Sequence, residues 1–192
     1  MTEESASPPL ILASASPRRR ELLGRLGIPF EGVPADIDET VPHGARVERV
    51  VRQLARQKAL AVAAQRPEAV VLAADTLVAL RGQALGKPAN ADDAWAMLRA
   101  LRGGWHRVLT GVAVARGRRV RVAHAVTRVR MHAYDDAAIA ASIARGTPFD
   151  KAGSYAIQDA DFDAWRNNAT LSSATTRVEE TWRCDVDYER LV

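Results

Sequence analysis

The chain holds a single cysteine, Cys184, in 192 residues. That excludes an internal disulfide framework and fits a reducing compartment, so the expected location is the cytoplasm. No stretch approaches the roughly 20 consecutive apolar residues that span a bilayer, so no transmembrane helix is expected. Residues Met1 to Pro9 are acidic and polar, without the basic segment of a secretory signal. Aromatic residues make up only 5% of the chain. They form no stacking platform, and no nucleic-acid motif accompanies them, so a nucleic-acid-binding module ranks low. Histidine is scarce, and His106, His124 and His132 lack metal-ligand spacing; they read as ordinary strand or loop residues. Lysine is scarcer still, at three positions, Lys58, Lys87 and Lys151. Where arginine supplies nearly all the positive charge, a lysine marks a place that needs a compact ammonium.

What is present is ordinary for a globular domain: 47% hydrophobic and 26% charged residues. The length suits one domain spanning residues 1–192 with a substantial core. The net charge of +4 and a pI near 9.7 favour an anionic partner.

The chain is organised around Leu10-Ile11-Leu12-Ala13-Ser14-Ala15-Ser16-Pro17-Arg18-Arg19-Arg20-Glu21-Leu22-Leu23. An apolar run reads as a buried strand, and a helix with Leu22, Leu23 and Leu26 on one face follows. Ser16 stands at the N-cap and Pro17 at the first helical position. The first turn of a helix prefers acids, yet here it carries Arg18, Arg19 and Arg20. Free N–H groups, the Ser14 hydroxyl and guanidinium forks together make a phosphate cradle. Ile28 to Val33 reads as a second strand broken by Pro29. The acidic loop Asp36-Ile37-Asp38-Glu39-Thr40 offers carboxylates beside that cradle.

A helix over 45–64 carries an apolar stripe of Val47, Val50, Val51, Leu54 and Ala61, and Lys58 falls on it. On a stripe of this kind a lysine either snorkels to the surface or points into a cleft. Val70 to Leu80 is a continuous apolar run, expected to be a strand buried on both faces, with Asp75 in its middle. An unpaired carboxylate there is expensive, so Asp75 needs a cation, a metal or access to water. Arg81-Gly82-Gln83 turns the chain towards Gly86-Lys87-Pro88, and Asn90 caps a helix with Asp92 and Asp93 in its first turn. A long hairpin follows, turning at Arg116-Gly117-Arg118. The change of apolar parity between Val126 and Val129 predicts a bulge near Thr127-Arg128. A short helix over 135–145 leads to Phe149-Asp150-Lys151-Ala152-Gly153-Ser154-Tyr155-Ala156-Ile157-Gln158.

These segments resemble, in order and spacing, the motifs of the Maf family of nucleotide pyrophosphatases. "LASASPRR", Leu54-Ala55 with Lys58-Ala59, Ala74-Asp75-Thr76, Gly86-Lys87-Pro88 and Asp150-Lys151-Ala152-Gly153 with Tyr155, Ile157 and Gln158 carry the likeness. The last is similar to the branch that prefers thymidine and uridine triphosphates. The resemblance covers about residues 9–159. Beyond it Asp159 stands where the family has glycine, and residues 160–192 form a divergent tail that matches nothing; a native divergent end and a shifted reading frame both account for it.

The resemblance implies an α/β fold, a mixed twisted sheet with flanking helices in the inosine-triphosphatase-like arrangement, with a central cleft and a homodimer. It implies hydrolysis of a nucleoside triphosphate to monophosphate and pyrophosphate. Arg18, Arg19, Lys58 and Lys87 would neutralise the phosphates, Asp75 would accept the proton of the attacking water, and Glu39 and Asp75 would hold Mg²⁺ or Mn²⁺. Ser14 would line the phosphate site, and Arg19, Thr76 and Gln158 would select the base. The family is also associated with septum formation, so a regulator of cell division acting through protein contacts is the alternative. Such a role would survive loss of Asp75.

Overall fold

A computed structural model describes residues 7–42, 44–146 and 148–156, and the backbone of 179–183. Gln158 and Asp159 lie outside the described residues. The described chain forms β1 (Leu10–Leu12), α1 (Pro17–Gly24), β2 (Glu31–Gly32), α2 (Val47–Gln65), β3 (Val70–Leu80) and β4 (Gln83–Leu85). It continues through α3 (Ala91–Leu101), β5 (Trp105–Arg116), β6 (Arg119–Arg130), α4 (Asp136–Ala144), a 3-10 turn (Ala152–Ser154) and β7 (Glu179–Arg183).

One mixed sheet of seven strands runs in the order β2-β1-β3-β5-β6-β7, with β4 also on β3. β1 is parallel to β2 and β3; every other pairing is antiparallel. β3 is the axis, pairing with β1 over its first three residues, with β4 over its last three and with β5 along most of its length. The β3–β4 hairpin turns on Arg81 and Gly82, with φ of 51° and 85°. Two central residues of positive φ make the turn whose twist matches the strands, and glycine suits the second.

Two cores sit on opposite faces of the sheet. The odd-numbered side chains of β3 meet α2: Val71 and Ala73 join Ala55, Ala59, Val62 and Ala63, while Leu77 and Ala79 join Val47, Val50, Val51 and Leu54. On the other face Val78 packs with Leu98, Leu101, Ile139 and Tyr155 under α3 and α4. Only the α2 face of β3 is buried throughout; the other is half-buried from Val70 to Thr76. The expectation of burial on both faces is corrected to that extent, because α3 and α4 cover only the far end of the strand.

Other local expectations are corrected too. α1 buries Leu23 alone, with Leu22 and Leu26 exposed. Ser16 holds the N-cap position, but its side chain makes no cap hydrogen bond. The second strand shrinks to Glu31–Gly32. No bulge interrupts β6, whose pairing with β5 runs unbroken from Arg116↔Arg119 to Trp105↔Arg130. Its parity change has another cause: Val122 and Val126 pack on the α2 side, and Val129 packs in the opposite core. His106 and His124 lie on β5 and β6, as ordinary strand residues, and both are buried. Within the divergent tail, 179–183 adds an antiparallel strand to β6.

Candidate active site

The site forms where β1 ends beside the middle of β3. The parallel pairing sets Leu12 opposite Leu72, and Ala13 N–H donates to Leu72 O at 2.8 Å. The chain leaving β1 therefore enters α1 next to Asp75, at the carboxyl end of a parallel strand, where open α/β sheets place their ligands. Ser14 Oγ accepts from Ser16 N–H at 3.2 Å and from Arg19 Nη1 at 3.4 Å. Arg19 Nη2 lies 3.4 Å from Thr76 Oγ1, which also hydrogen-bonds Thr110 Oγ1 at 3.1 Å. Burial lowers the pKa of Arg19, opposed by the charges of Asp75 and Glu39.

The three arginines do three different things. Arg19 enters the site. Arg20 lies over Gly32, where a Cβ would stand 2.8 Å from its Nη2. The charge of Arg18 reaches Asp150, whose carboxyl is desolvated but held low by Lys151, by Arg18 and by its own backbone. The three arginines of the sequence cluster thus diverge, and Arg19 is the one that reaches Ser14 and Thr76.

On the α2 face Lys58 is buried, and its Nζ contacts Asp75 Oδ1 at 2.7 Å and Glu39 Oε1 at 2.8 Å. The lysine on the apolar stripe therefore points inward. One ammonium draws together the two carboxylates, one from the middle of β3 and one from the loop after β2. Burial raises the pKa of Asp75, against the hydrogen bond and charge of Lys58 and the charge of Arg19; the Glu39 charge adds to the rise. For Glu39 burial also pushes up, but Lys58, Lys87 and Arg19 together outweigh it and hold the group low. The two carboxyls are thus shifted in opposite directions, the pattern by which neighbouring acids come to differ in their acid–base behaviour. Lys87 is exposed beyond β4, and its charge reaches Glu39. Of the expected site residues, Ser14, Arg19, Thr76, Glu39, Lys58 and Asp75 converge, Lys87 borders them, and Arg18 faces Asp150.

Glu39 and Asp75 are hard oxygen donors converging on one cation. Among the described residues no group of three or more acidic, histidine or cysteine side chains could hold a metal. Two carboxylates suit a divalent ion that completes its shell with water and phosphate oxygens, the habit of Mg²⁺.

Two residues that the motifs do not single out also belong to the site. Thr110 shares the Thr76 hydroxyl from the neighbouring strand. Gly111 is the cross-strand partner of Asp75, and a Cβ there would stand 2.2 Å from Val51 O. It lets α2 lie against the sheet where Lys58 must reach the carboxylate. A lone glycine inside a long strand signals such an approach; nothing in a single sequence marks Thr110.

The sequence profile of the family described as "Maf-like protein" matches residues 9–165. The chain is 61% identical over 161 residues to a dTTP/UTP pyrophosphatase of Thermomicrobium roseum, covering 82% of this chain and 74% of that protein. It is 52% identical over 149 residues to a dTTP/UTP pyrophosphatase of Myxococcus xanthus, covering 78% and 76% of the two chains. A dTTP/UTP pyrophosphatase of Gloeobacter violaceus is 48% identical over 149 residues, covering 78% of each.

Proposed function

Because the chain belongs to the Maf-like family, we propose that it is a nucleoside triphosphate pyrophosphatase acting on dTTP and UTP. The products are the monophosphate and pyrophosphate, and the role is sanitation of nucleotide pools. The observation that carries this reading is the buried Lys58 with Asp75 and Glu39 on one ammonium, beside the Ser14–Arg19 cradle. Asp75 takes a proton from the attacking water, the P–O bond between the α- and β-phosphates breaks, and the charge gathering on pyrophosphate is met by Arg18, Arg19, Lys58 and Lys87. Arg19, Thr76 and Gln158 select the base. Glu39 and Asp75 would hold Mg²⁺ or Mn²⁺, which when bound neutralises phosphate oxygens. One domain, a homodimer and a cytoplasmic location complete the proposal, with no nucleic acid or membrane as partner. No described helix is long and apolar enough to cross a membrane. The test is pyrophosphate release from a panel of canonical and methylated nucleoside triphosphates with each metal. dTTP and UTP are expected to turn over best; equal or better turnover of 7-methyl-guanosine triphosphate overturns the base assignment.

Lys58→Met separates the reading from a merely structural lysine. It leaves two carboxylates without their shared cation, one of them buried. In metal-free buffer the loss of stability is expected to be about 2–3 kcal/mol, less than for a fully enclosed pair because Glu39 meets solvent. Mn²⁺ should raise the melting temperature of this variant more than that of the wild type, since the ion replaces the missing charge. Turnover should fall by about 10–100-fold with the lost phosphate contact. The acid limb of kcat/KM moves as well. Asp75 must be ionised to accept a proton, so activity disappears as pH falls through its raised pKa. Without Lys58 to draw that value down, the limb shifts to higher pH. Equal Mn²⁺ responses in the two proteins, with an unmoved acid limb, would remove Lys58 from the site.

A further inference from the structure

Residues 151–155 lie beyond the charge cluster yet are firmly anchored. Gly153 and the non-glycine Ser154 are both left-handed, with φ of 68° and 65°, a conformation that persists at Ser154 only where its surroundings over-determine it. The Gly153 N–H donates to Gly86 O at 2.9 Å. A Cβ on Gly153 would stand 2.8 Å from Val78 Cγ2, so the turn is seated directly on β3. Tyr155 is buried edge-on to His106, with ring centroids 5.4 Å apart at 87°. Its hydroxyl hydrogen-bonds Nε2 of His106, which is itself buried near the start of β5.

Gly86 is the residue before Lys87, and Pro88 after it is buried with its φ fixed by the ring. The backbone on both sides of Lys87 is held, while the ammonium stays exposed and its charge reaches Glu39. His106 is an expensive anchor. Its Nδ1 is buried with no hydrogen-bond partner among the described residues, a cost that a purely apolar ring would avoid.

We propose that Tyr155 and His106 are positioning residues for Lys87, acting through the Gly153–Gly86 hydrogen bond to fix where its ammonium meets the phosphates. The inference rests on the reading of Lys87 as a phosphate-binding group.

Tyr155→Phe in the full chain keeps the ring and removes only the hydroxyl. It is expected to lower kcat with UTP about tenfold, the scale of one misplaced charged contact, with KM changed less than about twofold. His106→Leu should do the same. His106→Gln, whose amide can meet the Tyr155 hydroxyl, should keep kcat within about twofold of wild type, since the contact is restored. In a Lys87→Met background Tyr155→Phe should cost less than about twofold in kcat, because the group it positions is gone. Its effect on melting temperature should be the same in both backgrounds. An unchanged kcat in Tyr155→Phe overturns the proposal. So do equal kcat losses with and without Lys87, which would mean a role in packing alone. Full activity of Lys87→Met overturns the role of Lys87 itself, and with it this inference.

Discussion

Asp75→Asn is expected to give a folded protein that binds nucleotide and has lost nearly all turnover. General-base loss alone is worth about 10²–10⁴ in rate, and a weaker ligand for a divalent ion adds to it. The surroundings of Asp75 explain why the fold should survive. Burial raises its pKa even though Lys58 donates to it at 2.7 Å. Keeping the group ionised therefore works against burial, and the neutral amide relieves that cost as it gives up the ion pair. Lys58 retains Glu39 at 2.8 Å. Arg19 and Lys87 remain to attract phosphate, so metal-free triphosphate affinity should stay the same or tighten when one negative charge goes. A structural carboxylate predicts the reverse: lower stability and near-normal activity per folded molecule. Measuring kcat and metal-free nucleotide affinity on one folded sample decides it, and near-wild-type kcat there ends the catalytic assignment.

Asp75 was legible because it breaks a rule of composition inside one element: a charge in the most apolar run of the chain. Lys58 was legible for the same reason, as an ammonium on an apolar helical stripe. The boundaries of β3 and the tip of its hairpin followed from continuous apolarity and an Arg-Gly turn. What stayed hidden depends on which element covers which face. The parity change in β6 has the look of an inserted residue, but the strand keeps its register while the packing layer changes from α2 to α3 and α4. Leu22 and Leu26 repeat as a buried face would, yet α1 sits at the margin of the sheet and encloses only Leu23. Of the acidic loop's carboxylates, the one that meets Lys58 is settled by tertiary geometry, since neighbouring acids are alike in sequence. Thr110 enters through strand register, which a single chain's composition does not state.

Gly111→Ala is expected to have a larger effect on stability than any other glycine-to-alanine change in the described strands. Its Cβ would stand 2.2 Å from Val51 O, 2.5 Å from Val51 C and 3.0 Å from Arg52 N. These are backbone atoms in the body of a 19-residue helix, so no side chain can swing aside. Either α2 lifts from the sheet or β5 bends away from β3. Overpacking typically costs about 1–3 kcal/mol, and a clash with backbone at this distance belongs at or above the top of that range. The consequence for chemistry follows from register. Gly111 pairs with Asp75 across the strands, and Val51 stands two helical turns before Lys58 on the same helix face. A helix lifted at Val51 draws Lys58 back from a contact that is only 2.7 Å long. Activity per folded molecule should therefore fall by about tenfold or more, alongside a melting temperature lower by roughly ten degrees or more for a domain of this size. Gly104→Ala is the control, because its Cβ would come no closer than 3.6 Å to its neighbours, ordinary contact. If Gly111→Ala melts and turns over like Gly104→Ala, the close approach of α2 is not what places Lys58 on Asp75.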